Sequence, residues 1–309
     1  MNAGAVHAAR LVIWHISDNR PGHDNQCLGL VQALQQLRPC DYFKIDRSPL
    51  PHLMLSLARR RYPGSDALPD PELIMGAGHA THASMLCVRL IRGGRTVVLM
   101  KPSLPASWFD LCLVPAHDNP DASPETIITE GALSRIIPGA AHDPGAGLML
   151  IGGVSRHYRW DPTLLLAQIN HIADKEAAVN WVITDSPRTP AATSQLLNLI
   201  NKNNIAYLCH RELDRSWLPT QLARAGQTWI TEDSVSMIYE ALTSGTAVGL
   251  LGVPAQHRHR VTRIPEHLRA KNMATLYQDW KAGTALAAPP CILNESARCA
   301  ALLLQKLAL

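Results

Sequence analysis

The 309-residue chain lacks any Cys-x-x-Cys pair, and its seven cysteines are scattered and odd in number. That argues against a disulfide framework and against a structural zinc site, and favours reduced, buried thiols. Aromatic residues make up only 5%. A nucleic-acid protein normally interleaves aromatics with a basic face, so DNA and RNA are poor partners here. No long hydrophobic run occurs either. The longest, Ala247 to Ala255, is too short and too rich in Gly and Pro to span a bilayer. The N-terminus reaches Arg10 with no apolar stretch of the signal-peptide kind, so a cytoplasmic, soluble protein is expected. No Asp-x-Asp occurs, and among 14 histidines neither His79-x-x-His82 nor His257-x-His259 is followed by a matching ligand. No metal and no resident cofactor are expected.

The composition instead suits a sizeable core. Hydrophobic residues are 47% and charged residues 17%, and a chain of this length suggests about two domains. The net charge of +4 is unevenly placed: residues 1–150 balance to zero, and the excess falls in the second half. Gln256–Lys271 alone carries Arg258, Arg260, Arg263, Arg269 and Lys271 against Glu266. Leu50 to Arg61, in the other half, is an apolar stretch that ends in three arginines. Both segments suit an anionic partner, either acceptor phosphates or an anionic membrane touched peripherally.

Short apolar runs alternate with helical patterns throughout. Strands are expected at Leu11–Ile16, Tyr42–Ile45, Leu73–Met75, Thr96–Met100 and Leu111–Val114, with helices near Asp24–Leu37, Pro51–Arg60 and His79–Ile91. A Pro/Gly-rich stretch, Pro138–Gly147, reads as a linker. The pattern then restarts, with strands at Leu148–Ile151, Val179–Thr184, Ile205–Leu208, Thr228–Ile230 and Ala247–Leu251. Helices are expected between them at Pro162–Lys175, Ala191–Asn201 and Ser234–Thr243. Alternation of this kind implies parallel sheets with helices on both faces. The expected class is α/β, with two doubly wound Rossmann-like domains facing a central cleft. The boundary falls near residue 145, giving domains 1–145 and 146–309.

In open parallel sheets, ligands sit beyond the C-terminal ends of the strands. The turns at those ends are unusually polar. Ser17–Gln26 packs eight hydrogen-bonding or titratable side chains between a strand and a helix. Gly22 is expected to relieve crowding at a sharp turn, with His23 at the helix start, which favours neutral imidazole and suits a general base. Asp18 and Asp24 remain alternatives, and Asp24 or Asn25 could instead cap the helix. Asn25 and Gln26 add further polar groups. Ile151–Tyr158 offers Gly152 and Gly153 for close backbone approach to a phosphate, plus Ser155 and Arg156 as donors. Thr184–Thr189 adds Thr184, Ser186 and Arg188. Ile230–Glu240 places Glu232, Asp233, Ser234, Ser236 and Met237 at a helix start, a ready anion site. Glu240 follows on the first two turns, where a carboxylate can accept from ribose hydroxyls.

Four stretches, Pro21–Gln26, Ile74-Met-Gly-Ala-Gly78, Gly152–Arg156 and Thr231–Met237, fall in this order. With them the chain resembles the bacterial mitochondrial fission factor-like family over nearly its whole length. The second half also resembles the donor domain of GT-B glycosyltransferases, through the Glu-Asp-Ser-x-Ser…Glu helix start. The resemblance implies a nucleotide-sugar donor on the C-terminal domain and a glycan or lipid-linked acceptor on the N-terminal one. It also implies that the last helix, Ala297–Leu307, crosses back. The expected activity is a metal-independent, inverting glycosyl transfer in cell-envelope polysaccharide or lipopolysaccharide synthesis. On that reading Gly22, Asn25, Gln26, Gly76, Gly78, Arg258, Arg260 and Arg263 lie on the acceptor side. A nucleotide-sugar epimerase and a non-enzymatic membrane-surface scaffold are the alternatives.

Overall fold

A computed structural model of the chain describes residues 10–139 and 141–309. The segment before Arg10, which carries the signal-peptide expectation, lies outside the described residues, as does Ala140 of the expected linker.

The first compact unit comprises residues up to Arg135 together with Glu295–Leu309. Its elements are β1 (Leu11–Ser17), α1 (Pro21–Leu37), β2 (Cys40–Asp46), α2 (Leu50–Arg59), β3 (Leu73–Ala77) and α3 (His82–Arg92). β4 (Arg95–Leu99), β5 (Leu111–Pro115) and β6 (Thr126–Thr129) complete the sheet. All six strands are parallel, in the order β2-β1-β3-β4-β5-β6. β1 sends Leu11 and Ile13 to one face and Trp14 and Ile16 into separate packing on the other, where Leu53 of α2 and Val88 of α3 lie. This is the two-residue period of a strand buried on both faces.

The second unit is Ile136–Asn294. It contains β7 (Asp143–Leu150), α4 (Pro162–Lys175), β8 (Asn180–Thr184), α5 (Ala191–Asn198), β9 (Ile205–Leu208) and α6 (Trp217–Arg224). It continues with β10 (Ala225–Thr231), α7 (Val235–Ser244), β11 (Ala247–Leu251), α8 (Ile264–Ala270), β12 (Thr275–Leu276) and α9 (Tyr277–Lys281). The parallel order is β12-β11-β10-β7-β8-β9. Leu148 and Leu150 pack under α7 and α8, whereas Met149 and Ile151 pack under α4 with Trp181 and Trp229.

The last helix, α10 (Glu295–Leu307), belongs to the first unit. Cys299, Ala300 and Leu303 share a core with Leu30 and Leu34 of α1. The carboxylate of Glu295 accepts the Glu130 N–H at 3.0 Å, and Ser296 Oγ donates to the Ser134 carbonyl at 2.8 Å.

Local readings differ from the structure at several points. α1 begins at Pro21, so Gly22 and His23 are its first turn, and its N-cap Arg20 offers no side-chain cap. A proline at the first helical position is pre-set for this start. A Cβ on Gly22 would meet nothing within 4 Å, so the expected crowding is absent. The stretch Asp143–Gly147 is strand, not linker. Glycine makes that possible: a Cβ at Gly147 would overlap the Trp181 ring on the neighbouring strand. Gly147→Ala should therefore cost about 1–3 kcal/mol through overpacking, read from a urea melt of the full chain. β6, β12 and the short helices α6, α8 and α9 are too short for a periodic pattern to mark them in the sequence.

Candidate functional site

Each sheet order has one position where the chain reverses its direction of winding. In the first it lies between β1 and β3, and in the second between β7 and β10. The strand connections diverge there and leave a crevice at the carboxyl ends. The motif turns occupy both places.

In the first unit, β1 ends at Ser17 and delivers Asp18, whose side chain is only 4% exposed. The His23 Nδ1–H donates to Asp18, at 2.9 Å from Oδ2 and 3.1 Å from Oδ1. The Arg20 N–H donates to Asp18 as well, at 3.2 Å. A carboxylate that takes the Nδ1 proton fixes the tautomer and leaves Nε2 as the free lone pair. Nε2 makes no hydrogen bond within the described residues. Gly78, at the end of β3 with φ +79°, lies against the imidazole, and a Cβ there would overlap the ring. Two motifs, whose His23 and Gly78 lie 55 residues apart in sequence, thus build one feature. Gly76 is buried within β3, while Asn25 and Gln26 lie on α1 with no side-chain hydrogen bond among the described residues.

Asp24 is committed elsewhere. It accepts from Ser17 Oγ at 2.6 Å and Lys44 Nζ at 2.8 Å, and lies 3.5 Å from His15 Nε2. Burial pushes its carboxyl up, but the Lys44 and Ser17 hydrogen bonds outweigh that and hold it below the usual range. His15, 1% exposed, is driven down to about 4 by burial and stays neutral. Neither this carboxylate nor this ring is free to take a proton from a ligand. Asp24 is thus held by Ser17 and Lys44 and caps no amide of the α1 start.

In the second unit three turns converge, from the adjacent strands β8, β7 and β10. Arg188 knits them together. Its Nη1 donates to the carbonyls of Gly153 and Val154 at 3.3 Å each, and Nη2 lies 2.8 Å from Asp233 Oδ2 and 3.4 Å from Ser234 Oγ. The Asp233 side chain is fully buried and also accepts the Gly153 N–H at 3.0 Å. Its Oδ1 is buried without a partner among the described residues. A Cβ on Gly152 would overlap this carboxylate, and one on Gly153 would overlap the Arg188 carbonyl, so both glycines serve close packing between turns.

Some expected ligand groups are spent inside the protein. Ser186 Oγ and Thr189 Oγ1 both donate to the Gly152 carbonyl, and Thr184 is buried at the end of β8. The Ser186 and Thr189 hydroxyls brace the glycine turn, and the Thr184 hydroxyl turns to the Asp185 carbonyl. Glu232 turns toward the exit of β11, where its Oε2 accepts the Val253 N–H at 3.2 Å, and burial pushes its carboxyl up to about 7. Ser155 Oγ accepts the His157 N–H.

Other groups remain available. No side chain caps α7, which leaves the amides of its first turn without intrahelical acceptors. Ser236 is exposed, Met237 is half-buried, and Glu240 lies one turn beyond Ser236 on the same side of the helix. Glu240 has no hydrogen bond or ion pair among the described residues, and burial pushes its carboxyl up to about 7. A desolvated carboxyl with a raised pKa at the carboxyl end of the strands is a candidate ligand group.

The loop after β11 joins this edge of the sheet. Tyr158 bridges Ala255, and the Gln256 N–H donates to the His157 carbonyl at 2.9 Å. His157 stacks on His259 at 4.1 Å between ring centroids. Arg258, Arg260 and Arg263 are exposed in this second unit, not in the first with the other expected acceptor-side residues. Arg156 is exposed beside them. Among the described residues, Asp185, Cys209 and His210 form a group with metal-ligand potential. Asp185 already accepts from Ser194, Tyr207 and both the backbone N–H and the Nδ1–H of His210, so it is a hydrogen-bond hub that holds β8 and β9 together. Asp185 and Thr189 lie in the polar turn Thr184–Thr189, but nothing in the sequence marks them apart from their neighbours there.

The family model described as Mitochondrial fission ELM1 matches residues 21–307. The chain belongs to that family. No curated protein matches it. Solved structures match over nearly the full length of the chain at low identity. A Listeria monocytogenes protein assigned as a UDP-N-acetylglucosamine 2-epimerase has 13% identity and a TM-score of 0.57, covering 97% of this chain and 90% of that one. The UDP-GlcNAc 2-epimerase of Neisseria meningitidis, bound to UDP-GlcNAc, has 11% identity and a TM-score of 0.55, covering 97% and 100%. A glycosyltransferase from Rickettsia africae has 9% identity and a TM-score of 0.50, covering 97% and 99%. These likenesses establish two Rossmann-like units of the GT-B kind. Among the described residues, no helix is long and apolar enough to cross a membrane.

Proposed function

We propose that this family member is a nucleotide-sugar-dependent glycosyltransferase. Its second unit would bind the donor and its first would bind a glycan or lipid-linked acceptor of the cell envelope. The observation that carries this reading is Glu240, an unpartnered carboxylate one turn behind the uncapped start of α7, at the winding reversal of the sheet. Ribose hydroxyls would donate to such a carboxylate, and the diphosphate would sit on the α7 amides with Ser234 and Ser236, while the Gly152–Gly153 turn, its amides given to Thr231 and Asp233, shapes the floor beneath. In the reaction the acceptor oxygen attacks the anomeric carbon and its proton passes to His23 Nε2. The nucleoside diphosphate departs from the opposite face, which inverts the centre. Negative charge grows on that diphosphate, and preorganised amides, Ser236 and Arg156 stabilise it without a metal.

Calorimetry and thermal shift against nucleoside diphosphates and their sugars test the donor half, because a ligand of the folded state raises apparent stability. Failure of every nucleotide-sugar to bind would overturn the reading. Glu240→Ala should weaken donor binding by about 1.5–3 kcal/mol, the range for hydrogen bonds to a charged group. The pH dependence has a definite sign. A carboxyl raised to about 7 accepts two hydroxyls best when ionised, so donor affinity should climb as pH rises through that value and flatten in Glu240→Gln. The unliganded protein should respond in the opposite sense. A carboxyl raised in the fold contributes stability at low pH that is lost as pH rises toward 7. Glu232 acts in the same direction, so the Glu240→Gln variant is compared with wild type at each pH.

An epimerase is the second reading, favoured by structural neighbours with that name. It would use the same donor site with no acceptor. Epimer formation from the nucleotide-sugar alone would select it.

A further inference from the structure

Helix α2 is held to the first unit by little of its surface. Leu53 and Ser56, three residues apart, are its buried positions, and the other eight are exposed. Leu50 is 69% exposed, Met54 72%, Leu55 45% and Leu57 38%. At roughly 100° per residue these side chains, with Pro51 and Ala58, cover a continuous apolar arc of about 160°. His52 and Arg59 border the arc on one side. The chain leaves the helix through Arg60, in left-handed conformation at φ +50°, and Arg61. Arg61 is paired with Asp66, but neither Arg59 nor Arg60 has a carboxylate partner among the described residues. A groove of about 300 Å³ runs beside the helix, lined by His52, Leu55, Ser56, Arg59, Arg61 and Pro63, together with Asp66.

We infer that α2 is a membrane-docking helix, which buries Leu50, Met54 and Leu57 at the acyl boundary of an anionic bilayer while Arg59 and Arg60 meet lipid phosphates. Charge complementarity selects this occupant. An apolar arc bordered by cations is the pattern of a helix lying in the interface of an anionic membrane. A second copy of the chain is less suited, because a two-fold contact uses the same patch on both sides. α2 contains no acidic residue to answer Arg59 and Arg60 across such a contact. The groove gives a headgroup phosphate a place between His52 and Arg59, where each basic group adds to the attraction.

The test is co-sedimentation of the full chain with phosphatidylcholine vesicles with and without phosphatidylglycerol. Binding is expected only with phosphatidylglycerol, and it should weaken with salt because the attraction is screened. Arg59→Gln and Arg60→Gln should each lower partitioning by about fivefold. Met54→Glu with Leu57→Glu should abolish it. Both positions are exposed, so circular dichroism and the nucleotide-sugar thermal shift of that variant should match wild type. Absence of binding to phosphatidylglycerol vesicles would overturn the inference, as would binding that survives the double glutamate exchange. Loss of a dimer in sedimentation velocity upon that exchange, without vesicle binding by wild type, would assign the face to a second copy instead.

Discussion

His23→Ala is expected to lower turnover by about 10²–10⁴-fold, the usual worth of a general base, while donor affinity stays unchanged. A sugar hydroxyl is a poor nucleophile and needs a group within hydrogen-bond reach to take its proton. In the first unit the candidates have separate fates. Asp24 is occupied by Lys44 and Ser17, and His15 is buried against Tyr42 and Asp24. Asp18 is buried and spends its oxygens on His23 and the Arg20 amide. Of these groups, His23 combines a hydrogen-bonded Nδ1–H with an Nε2 that has no partner among the described residues. Asp18→Asn should also slow turnover, because the ring loses the anion that fixes its tautomer and offsets the charge of the imidazolium. The two exchanges act on one unit, so the double variant should be no slower than His23→Ala alone. Joint loss of donor binding and turnover would mean that the α1 start is only structural. Full activity in His23→Ala would remove the ring from the mechanism.

The difference between what the chain announces and what it conceals has a physical basis. Strands buried on both faces announce themselves as short apolar runs, and β1, β7 and β11 read correctly in their apolar parts for that reason. Sheet order does not. It depends on which strand edges meet, so the winding reversals that bring Gly78 to His23 and Gly152 to Asp233 are invisible in a linear text. Polar turns are visible too, but not the direction in which each side chain points. Ser186 and Glu232 look like ligand groups beside Ser236 and Glu240, yet the first pair is spent on Gly152 and Val253. A backbone carbonyl buried at a sharp turn needs a donor, and nearby hydroxyls supply it before any ligand arrives. Gly22 shows the converse. Its place in a polar turn suggests a steric need, but the helix already starts at Pro21, ahead of its periodic pattern, and the space around the glycine is open.

The Arg188–Asp233 pair joins residues of two strand ends that are remote in sequence, and it has the largest stability effect to test. The Asp233 side chain is fully buried, whereas the Arg188 side chain is 43% exposed. Arg188→Ala removes the cation and leaves a buried carboxylate with only the Gly153 amide as donor. Breaking a fully buried pair from one side costs about 3–5 kcal/mol, much of it desolvation of the abandoned charge, and solvent at the half-exposed Arg188 should hold the loss here to the lower end of that range, about 3 kcal/mol. The Gly153 and Val154 carbonyls lose donors as well, so the glycine turn should loosen and donor affinity should fall with stability. Arg188→Lys keeps the charge but not the fork that reaches both turns, so it should recover only part of the loss. Arg188→Ala combined with Asp233→Asn is the discriminating variant. If the penalty comes from an unpaired charge, neutralising Asp233 should return a large share of it, and a double-mutant cycle in urea should give a coupling of at least about 1 kcal/mol. Strict additivity would mean that Arg188 stabilises the turns through its carbonyl contacts alone.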